Sequence, residues 1–73
     1  MSMLKTKLYG ALNSHYQAKK SKALFQLQLS FDNPVAIGEH PQLVDDCIKL
    51  IDDVAGADES IQTLESYFGD VHD

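Results

Sequence analysis

The hydrophobic residues in the second half of the chain follow a heptad repeat. They recur at alternating steps of four and three residues, at Leu43, Cys47, Leu50, Val54, Ala57, Ile61, Leu64 and Phe68. This spacing keeps one side of an α-helix facing a partner helix. It predicts a helix over about 41–68, with Pro41 in the first turn and Gly69 as the C-terminal stop. Residues 69–73 are expected to fray.

The first half of the chain predicts a second helix, over about 3–31. Its apolar residues cluster on one side of a helical wheel, at Leu4, Leu8, Ala11, Leu12, Ala18, Phe25 and Leu29. The run Asp32-Asn33-Pro34 favours a turn and ends this helix. In the connector over about 32–40, Val35 and Ile37 are expected to pack back on the helices, and Gly38 to adopt a positive φ.

One segment favours a different structure. Between Phe25 and Phe31 the apolar residues alternate with Gln26, Gln28 and Ser30, which is a strand pattern. A strand needs a neighbour, and no second segment of the chain alternates comparably. The sequence therefore predicts an all-α, antiparallel two-helix hairpin.

The length and the cysteine content bound the class of protein. A single domain of 73 residues buries too small a fraction of its surface to be very stable alone. Cys47 is the lone cysteine, so disulfides cannot supply the missing stability. A reducing cytoplasmic location fits the lone thiol and the lack of a secretory signal or a long apolar run. The extra burial is expected from a second copy or a partner protein.

The formal charge of −5 is unevenly distributed along this acidic chain. Residues 1–30 contain five lysines and no acid, whereas residues 31–73 contain eleven acids and Lys49. A basic start without arginine is a poor match to an organellar transit peptide. In an antiparallel hairpin the two charges face each other, with opposed residue numbers expected to sum to about 72. That register places Lys19, Lys20 and Lys22 near Asp52 and Asp53.

The first predicted helix contains one histidine, a residue type that serves as a pH switch or a metal ligand. His15 is expected on the apolar face opposite Gly56 and Ala57, as a packed side chain or alternatively as a pH switch or metal ligand.

The connector residues and the acidic doublets each have a structural and a chemical interpretation. Asp32, Glu39 and His40 share one connector, where turn formation and capping explain them as well as a metal does. The doublets Asp45-Asp46, Asp52-Asp53 and Asp58-Glu59 indicate a solvated face, or alternatively a calcium surface or a mimic of nucleic acid.

No catalytic motif is present, so no enzyme, cofactor or metal site is predicted. Lysines without arginine also make a poor nucleic-acid surface, and neither nucleic acid nor a membrane is expected as a partner.

Apolar residues beyond the predicted seam identify candidate interaction positions. They are Leu24, Leu27 and Phe31 on the first helix and Val44, Ile48 and Ile51 on the second. Exposed together, they would form an apolar patch that invites association. Pairing two hairpins about a two-fold axis would bury it in a four-helix bundle, which predicts a homodimer.

The connector also carries a resemblance. The run Asn33-Pro34-Val35-Ala36-Ile37-Gly38-Glu39-His40-Pro41, with the lysine-containing first helix and the ending from Leu64-Glu65 to Phe68, resembles small helical proteins of large tailed bacteriophages, including phages of marine bacteria. The resemblance implies a phage accessory or virion-associated protein in a bacterial cytoplasm, and it implies no site residues. The predicted function is a non-enzymatic interaction or regulatory module that binds a host or phage protein. The alternative is a structural virion component, and a metal-dependent or nucleic-acid-binding module ranks third.

Overall fold

The computed structural model describes residues 2–33 and 41–72, with side chains over 3–33 and 42–71. Helix α1 spans Ser2–Asp32, helix α2 spans Pro41–Phe68, and a 3₁₀ helix follows over Gly69–His72. The two α-helices pack against each other along a rod of 55 × 15 × 14 Å. The described ranges contain no strand, and the alternating segment Phe25–Phe31 is helical. The all-helical hairpin is therefore confirmed.

Side chains near the end of α1 satisfy carbonyl groups of its last turns. Asn33 donates from Nδ2 to the Leu29 carbonyl at 2.8 Å and from its backbone N–H to the Ser30 carbonyl at 3.3 Å. Ser30 donates from Oγ to the Gln26 carbonyl at 3.0 Å. The two bonds from Asn33 fill acceptors that the helix end leaves open, so α1 ends where the Asx-Pro turn was predicted. The bond from Ser30 adds to a carbonyl inside the helix. The predictions for Val35, Ile37, Gly38, Glu39 and His40 lie outside the described residues.

The segment after α2 lies against α1 as a 3₁₀ helix over Gly69–His72, and the expected fraying of residues 69–73 stays a prediction. The hydroxyl of Thr6 donates to the Val71 carbonyl at 3.2 Å, which ties the 3₁₀ helix to the first turns of α1. Gly69 does not act as a left-handed stop, because no described glycine has a positive φ. Instead the backbone tightens from α-helix to 3₁₀ helix, a common way to finish a helix.

The contact between the helices follows a heptad on both sides, and we call these positions the seam. On α2 the seam confirms the predicted run over Leu43, Cys47, Leu50, Val54, Ala57, Ile61 and Leu64. On α1 it consists of Tyr9, Asn13, Tyr16, Lys20, Ala23, Leu27 and Ser30, all of them buried or half-buried. The predicted last member on α2, Phe68, is instead 56% exposed.

The seam of α1 is a correction to the sequence-based prediction. The face predicted to be buried is exposed, with Leu4 at 71%, Leu8 at 60% and Phe25 at 63%. The predicted residues, such as Leu4, Ala11 and Phe25, are also spaced as a heptad, but they are two residues out of phase with the seam, which turns them about 200° away from α2. Two alanines in the heptads, Ala23 and Ala57, are almost fully buried and let the helices approach closely.

The register also differs from the prediction. Lys20 pairs with Asp58 and Thr6 with Val71, so opposed residue numbers sum to 78 and 77 rather than about 72. The predicted value assumed that both helices end level at the connector. Asp32 lies level with residue 45, so α2 extends past the end of α1 by four residues, or about 6 Å at ~1.5 Å per residue.

Candidate functional site

The hairpin has two broad faces, which follow from helix geometry. A residue that follows a seam position is turned by about 100° from it around the helix axis. Because the two helices are antiparallel, the following residues of both helices lie on the same side of the hairpin. Gly10 and Gln17, which follow seam tyrosines, line one groove with Glu65, which follows Leu64. We call this side the following face. The residues that precede seam positions make the opposite, preceding face.

The following face carries an apolar patch near the connector. Its large members are exposed by between 45% and 72%, and they are Leu24, Phe31, Val44, Ile48 and Ile51. By the observed register, Leu24 lies close to the level of Ile51, and Phe31 lies between Val44 and Ile48. These five large apolar side chains lie on one side of the hairpin, and we call them the connector-end patch. Such surfaces mark interaction sites on soluble proteins.

Leu27 does not belong to this patch, although it was predicted to lie away from the seam. It is 5% exposed and occupies a seam position next to Ala23. Its burial follows from the heptad that α1 presents to α2. The other five predicted interaction residues stay candidates, and their role in binding remains a prediction.

Charged side chains concentrate on the middle of the preceding face. Lys19, Lys22 and Lys49 line a groove of about 430 Å³ together with Asp46 and Asp53. Mixed charge makes this groove a solvated surface rather than a site for one ion.

An ion pair crosses the two helices. The Lys20 ammonium lies 2.6 Å from a carboxylate oxygen of Asp58, with both side chains partly exposed. The lysines thus face acids as predicted, but Lys20 meets Asp58 instead of Asp52 or Asp53. An exposed pair of this kind contributes only about 0.2–1 kcal/mol, so it sets orientation more than stability.

The end of the preceding face near the termini contains an apolar groove. It has a volume of about 380 Å³ and is lined by Lys5, Leu8, Tyr9, Leu12, Leu64, Phe68 and Val71. A second groove of about 470 Å³ shares Leu12, Leu64 and Phe68 with it and continues to Tyr16, Gly56 and Glu59. We call the joined pair the terminal groove. Its lining is mostly hydrocarbon near the termini, and its inner half adds the polar side chains of Glu59, Ser60 and Thr63.

His15 is exposed, which corrects the prediction that it packs in the core. Its ring meets the Tyr16 ring edge-on with centroids 5.0 Å apart. The position precedes a seam residue, so the imidazole lies on the preceding face rather than against Ala57. The room expected beside Gly56 is open, since a Cβ there would meet nothing within 4 Å.

No group of three or more His, Cys, Asp or Glu side chains in residues 2–33 and 41–72 is placed to hold a metal ion. Neither α1 nor α2, over their described lengths, carries an apolar run that would cross a bilayer. Cys47 is a free, half-buried thiol in the seam, where it packs as a small hydrophobe.

The chain matches no family model, no curated protein and no solved structure. Its function is therefore argued from its own surfaces.

Sequence reasoning missed the terminal groove. Leu8 and Leu12 were assigned to a buried face, and Val71 to a frayed tail. The signal in the sequence was the heptad Tyr9, Asn13 and Tyr16, which fixes the seam and leaves the neighbouring leucines on its flank. A heptad with polar members is hard to recognise when leucines lie beside it.

Proposed function

We propose that this chain is a non-enzymatic protein-interaction module that pairs with a second copy through the connector-end patch to form a four-helix bundle. The observation that carries the proposal is the exposed apolar surface of Leu24, Phe31, Val44, Ile48 and Ile51 on one side of the hairpin. Such a surface is stabilised when a matching surface covers it, since each buried square ångström contributes about 25 cal/mol. A two-fold dimer supplies that matching surface from the same sequence.

The total exposed area supports a second copy as the occupant. The chain exposes 5783 Å², whereas a compact monomer of 8.1 kDa is expected to expose about 4,500 Å². The excess of about 1,300 Å² exceeds the roughly 800 Å² that each partner removes from water in a standard stable interface. One hairpin therefore has enough surplus surface for a dimer.

The distribution of charge favours one orientation of the dimer. A two-fold axis along the rod places α1 of one copy against α2 of the other, so a helix with no acid before Asp32 faces the acidic helix. An axis across the rod places α1 against α1 and α2 against α2, which opposes like charges. The proposed dimer therefore has both connectors at the same end.

A pair of glutamate variants tests the interface. Replacing Ile48 with Glu puts a charge into the proposed interface and should raise the dimer dissociation constant about 100-fold or more, because a buried, unpaired charge is costly. Phe25→Glu adds the same charge to an exposed residue on the side of α1 opposite the seam, and should leave the constant unchanged. Sedimentation equilibrium measures both. Equal effects of the two variants, or a wild-type monomer at micromolar concentration, would contradict the proposal.

The biological setting proposed is a bacteriophage accessory protein that regulates a host or phage protein in the bacterial cytoplasm. The resemblance of the connector supports this setting, and the rod with its apolar surfaces supports binding rather than catalysis. Quantitative mass spectrometry of purified particles distinguishes this role from the alternative, a structural virion component. The regulatory role predicts traces in particles and abundance in infected cells, whereas a fixed, high copy number per particle would overturn it.

A further inference from the structure

We propose that the ion pair between Lys20 and Asp58 determines the specificity of the dimer, because each Lys20 also faces Asp58 of the second copy. This inference rests on the proposed function, since it names the residues through which one copy recognises another. The connector-end patch supplies the buried area. The ion pair decides which surface is accepted and in which orientation.

The ion pair lies on the same face as the connector-end patch. Asp58 directly follows the seam residue Ala57, so its side chain belongs to the following face. The Lys20 side chain starts in the seam, and its ammonium reaches a carboxylate oxygen of Asp58 at 2.6 Å. The two side chains stay 35% and 52% exposed, so a second copy on this face can meet both charges.

Along the rod, the ion pair marks the inner end of the apolar surface. Leu24 and Ala55 lie about one helical turn from the pair on the side of the connector. On the side of the termini, the following face carries the polar residues Ser14, Gln17 and Gln62. The apolar surface therefore ends at two opposite charges, which a surface that covers the patch has to match.

A two-fold axis along the rod brings the ion pairs of both copies to one level. Such an axis shifts no residue along the rod and places α1 of each copy against α2 of the other, so Lys20 is level with Asp58 of the second copy. Neighbouring helices in a bundle lie about 8–10 Å apart, and the Lys20 side chain already crosses one such gap to reach Asp58 in its own chain. Four charges then alternate in sign around the bundle.

A two-fold axis across the rod does not give this match. To cover one patch with the other, the axis has to cross the middle of the patch, near the level of Leu27. Lys20 is seven residues from Leu27, or about 10 Å at ~1.5 Å per residue. The two ion pairs would then lie about 20 Å apart, more than twice the Debye length of about 8 Å in physiological salt. The ion pair therefore favours the orientation with both connectors at one end.

The other charged side chains near this level lie on other sides of the hairpin. Those that precede seam residues lie on the preceding face, and they are Lys19, Lys22 and Asp53. Asp52 and Glu59 lie two residues after seam positions, which turns them away from α1. The next charged residue in the described part of the following face is Glu65, about 10 Å beyond Asp58 and level with the uncharged Asn13. The alternating set therefore consists of four charges.

Exchanging the two charges tests whether the copies recognise each other through them. The double variant Lys20→Glu with Asp58→Lys keeps an ion pair inside each chain and should dimerise as the wild type does. In a mixed dimer with the wild type, like charges would face each other across the interface. Native mass spectrometry of an equimolar, co-refolded mixture should show a penalty of about five-fold or more against the mixed dimer. The mixed dimer would then make up less than about one fifth of all dimers, against about half for random exchange.

Lys22 and Asp53 provide a matched control. Lys22→Glu with Asp53→Lys makes the same two changes of residue type on the preceding face, so it has the same mass and net charge as the first double variant. Its mixture with the wild type should contain about half mixed dimer, as random exchange requires. Salt at about 1 M should also return the first mixture toward random exchange, because the Debye length falls to about 3 Å.

The two single variants separate contacts within one chain from contacts between chains. Lys20→Glu and Asp58→Lys each oppose like charges inside the chain and, in a homodimer, across the interface as well. In the dimer that contains one chain of each variant, every contact across the interface joins opposite charges. The mixture should therefore dimerise with a Kd at least about five-fold lower than either variant alone, as measured by sedimentation equilibrium.

The outcomes separate this inference from the proposed dimer. Random mixing of the first double variant with a dimeric wild type would overturn the role of the ion pair and leave the dimer in place. The absence of any gain when the two single variants are combined would overturn it in the same way. A wild type that sediments as a monomer would overturn the dimer and this inference together.

Discussion

At the residue scale, the most direct test of the backbone concerns a glycine inside α1. Gly10 has helical geometry without a positive φ, and a Cβ built on it meets nothing within 4 Å. Glycine inside a helix costs about 0.5–1 kcal/mol relative to alanine, because it loses more backbone freedom on folding. Gly10→Ala should therefore raise the free energy of unfolding by about this amount in urea titrations. A lower stability of this variant would mean that a neighbour occupies the space beside Gly10.

At the element scale, two leucines on α1 distinguish the observed seam from the predicted one. Leu27 is 5% exposed in the seam, and Leu29 is 48% exposed on the face that was predicted to be buried. Leu27→Ala should lower the free energy of unfolding by about 2–5 kcal/mol, because the lost transfer energy is joined by a cavity. Leu29→Ala should lower it by less than about 1 kcal/mol. Thermal melts of the two variants measure the difference in stability. A larger loss in Leu29→Ala than in Leu27→Ala would contradict the observed seam and support the face predicted from the helical wheel.

Also at the element scale, the sequence was sufficient to predict the two helices, but not how they pack against each other. The run Asp32-Asn33-Pro34 predicts the end of α1, which lies at Asp32, and the α2 heptad is apolar enough to reveal its own seam. The α1 seam includes Asn13 and Lys20, so its hydrophobic pattern is weaker than that of the leucines beside it. The register depends on how the two heptads interdigitate around Ala23 and Ala57, which neither helix specifies alone. Five of the six predicted interaction positions lie in the connector-end patch. The sixth, Leu27, was assigned to the wrong side of α1 because of the same error in helical phase.

At the scale of the whole molecule, the hairpin is a thin rod with a small interior. The described side chains that are buried and hydrophobic are Ala23, Leu27, Ala57 and Leu64, and two of these are alanines. So small a core leaves the stability of a single copy marginal. Covering the connector-end patch adds burial that the seam cannot supply, so the melting temperature should rise with protein concentration.

Small-angle X-ray scattering tests the central claim most directly, because it returns mass and length together. Two hairpins paired with their connectors at one end should give twice the 8.1 kDa chain mass at a maximum dimension close to the 55 Å length of one hairpin. Doubled mass at a dimension well beyond 55 Å would contradict the proposed orientation. A particle of single-chain mass at millimolar concentration would contradict the dimer itself.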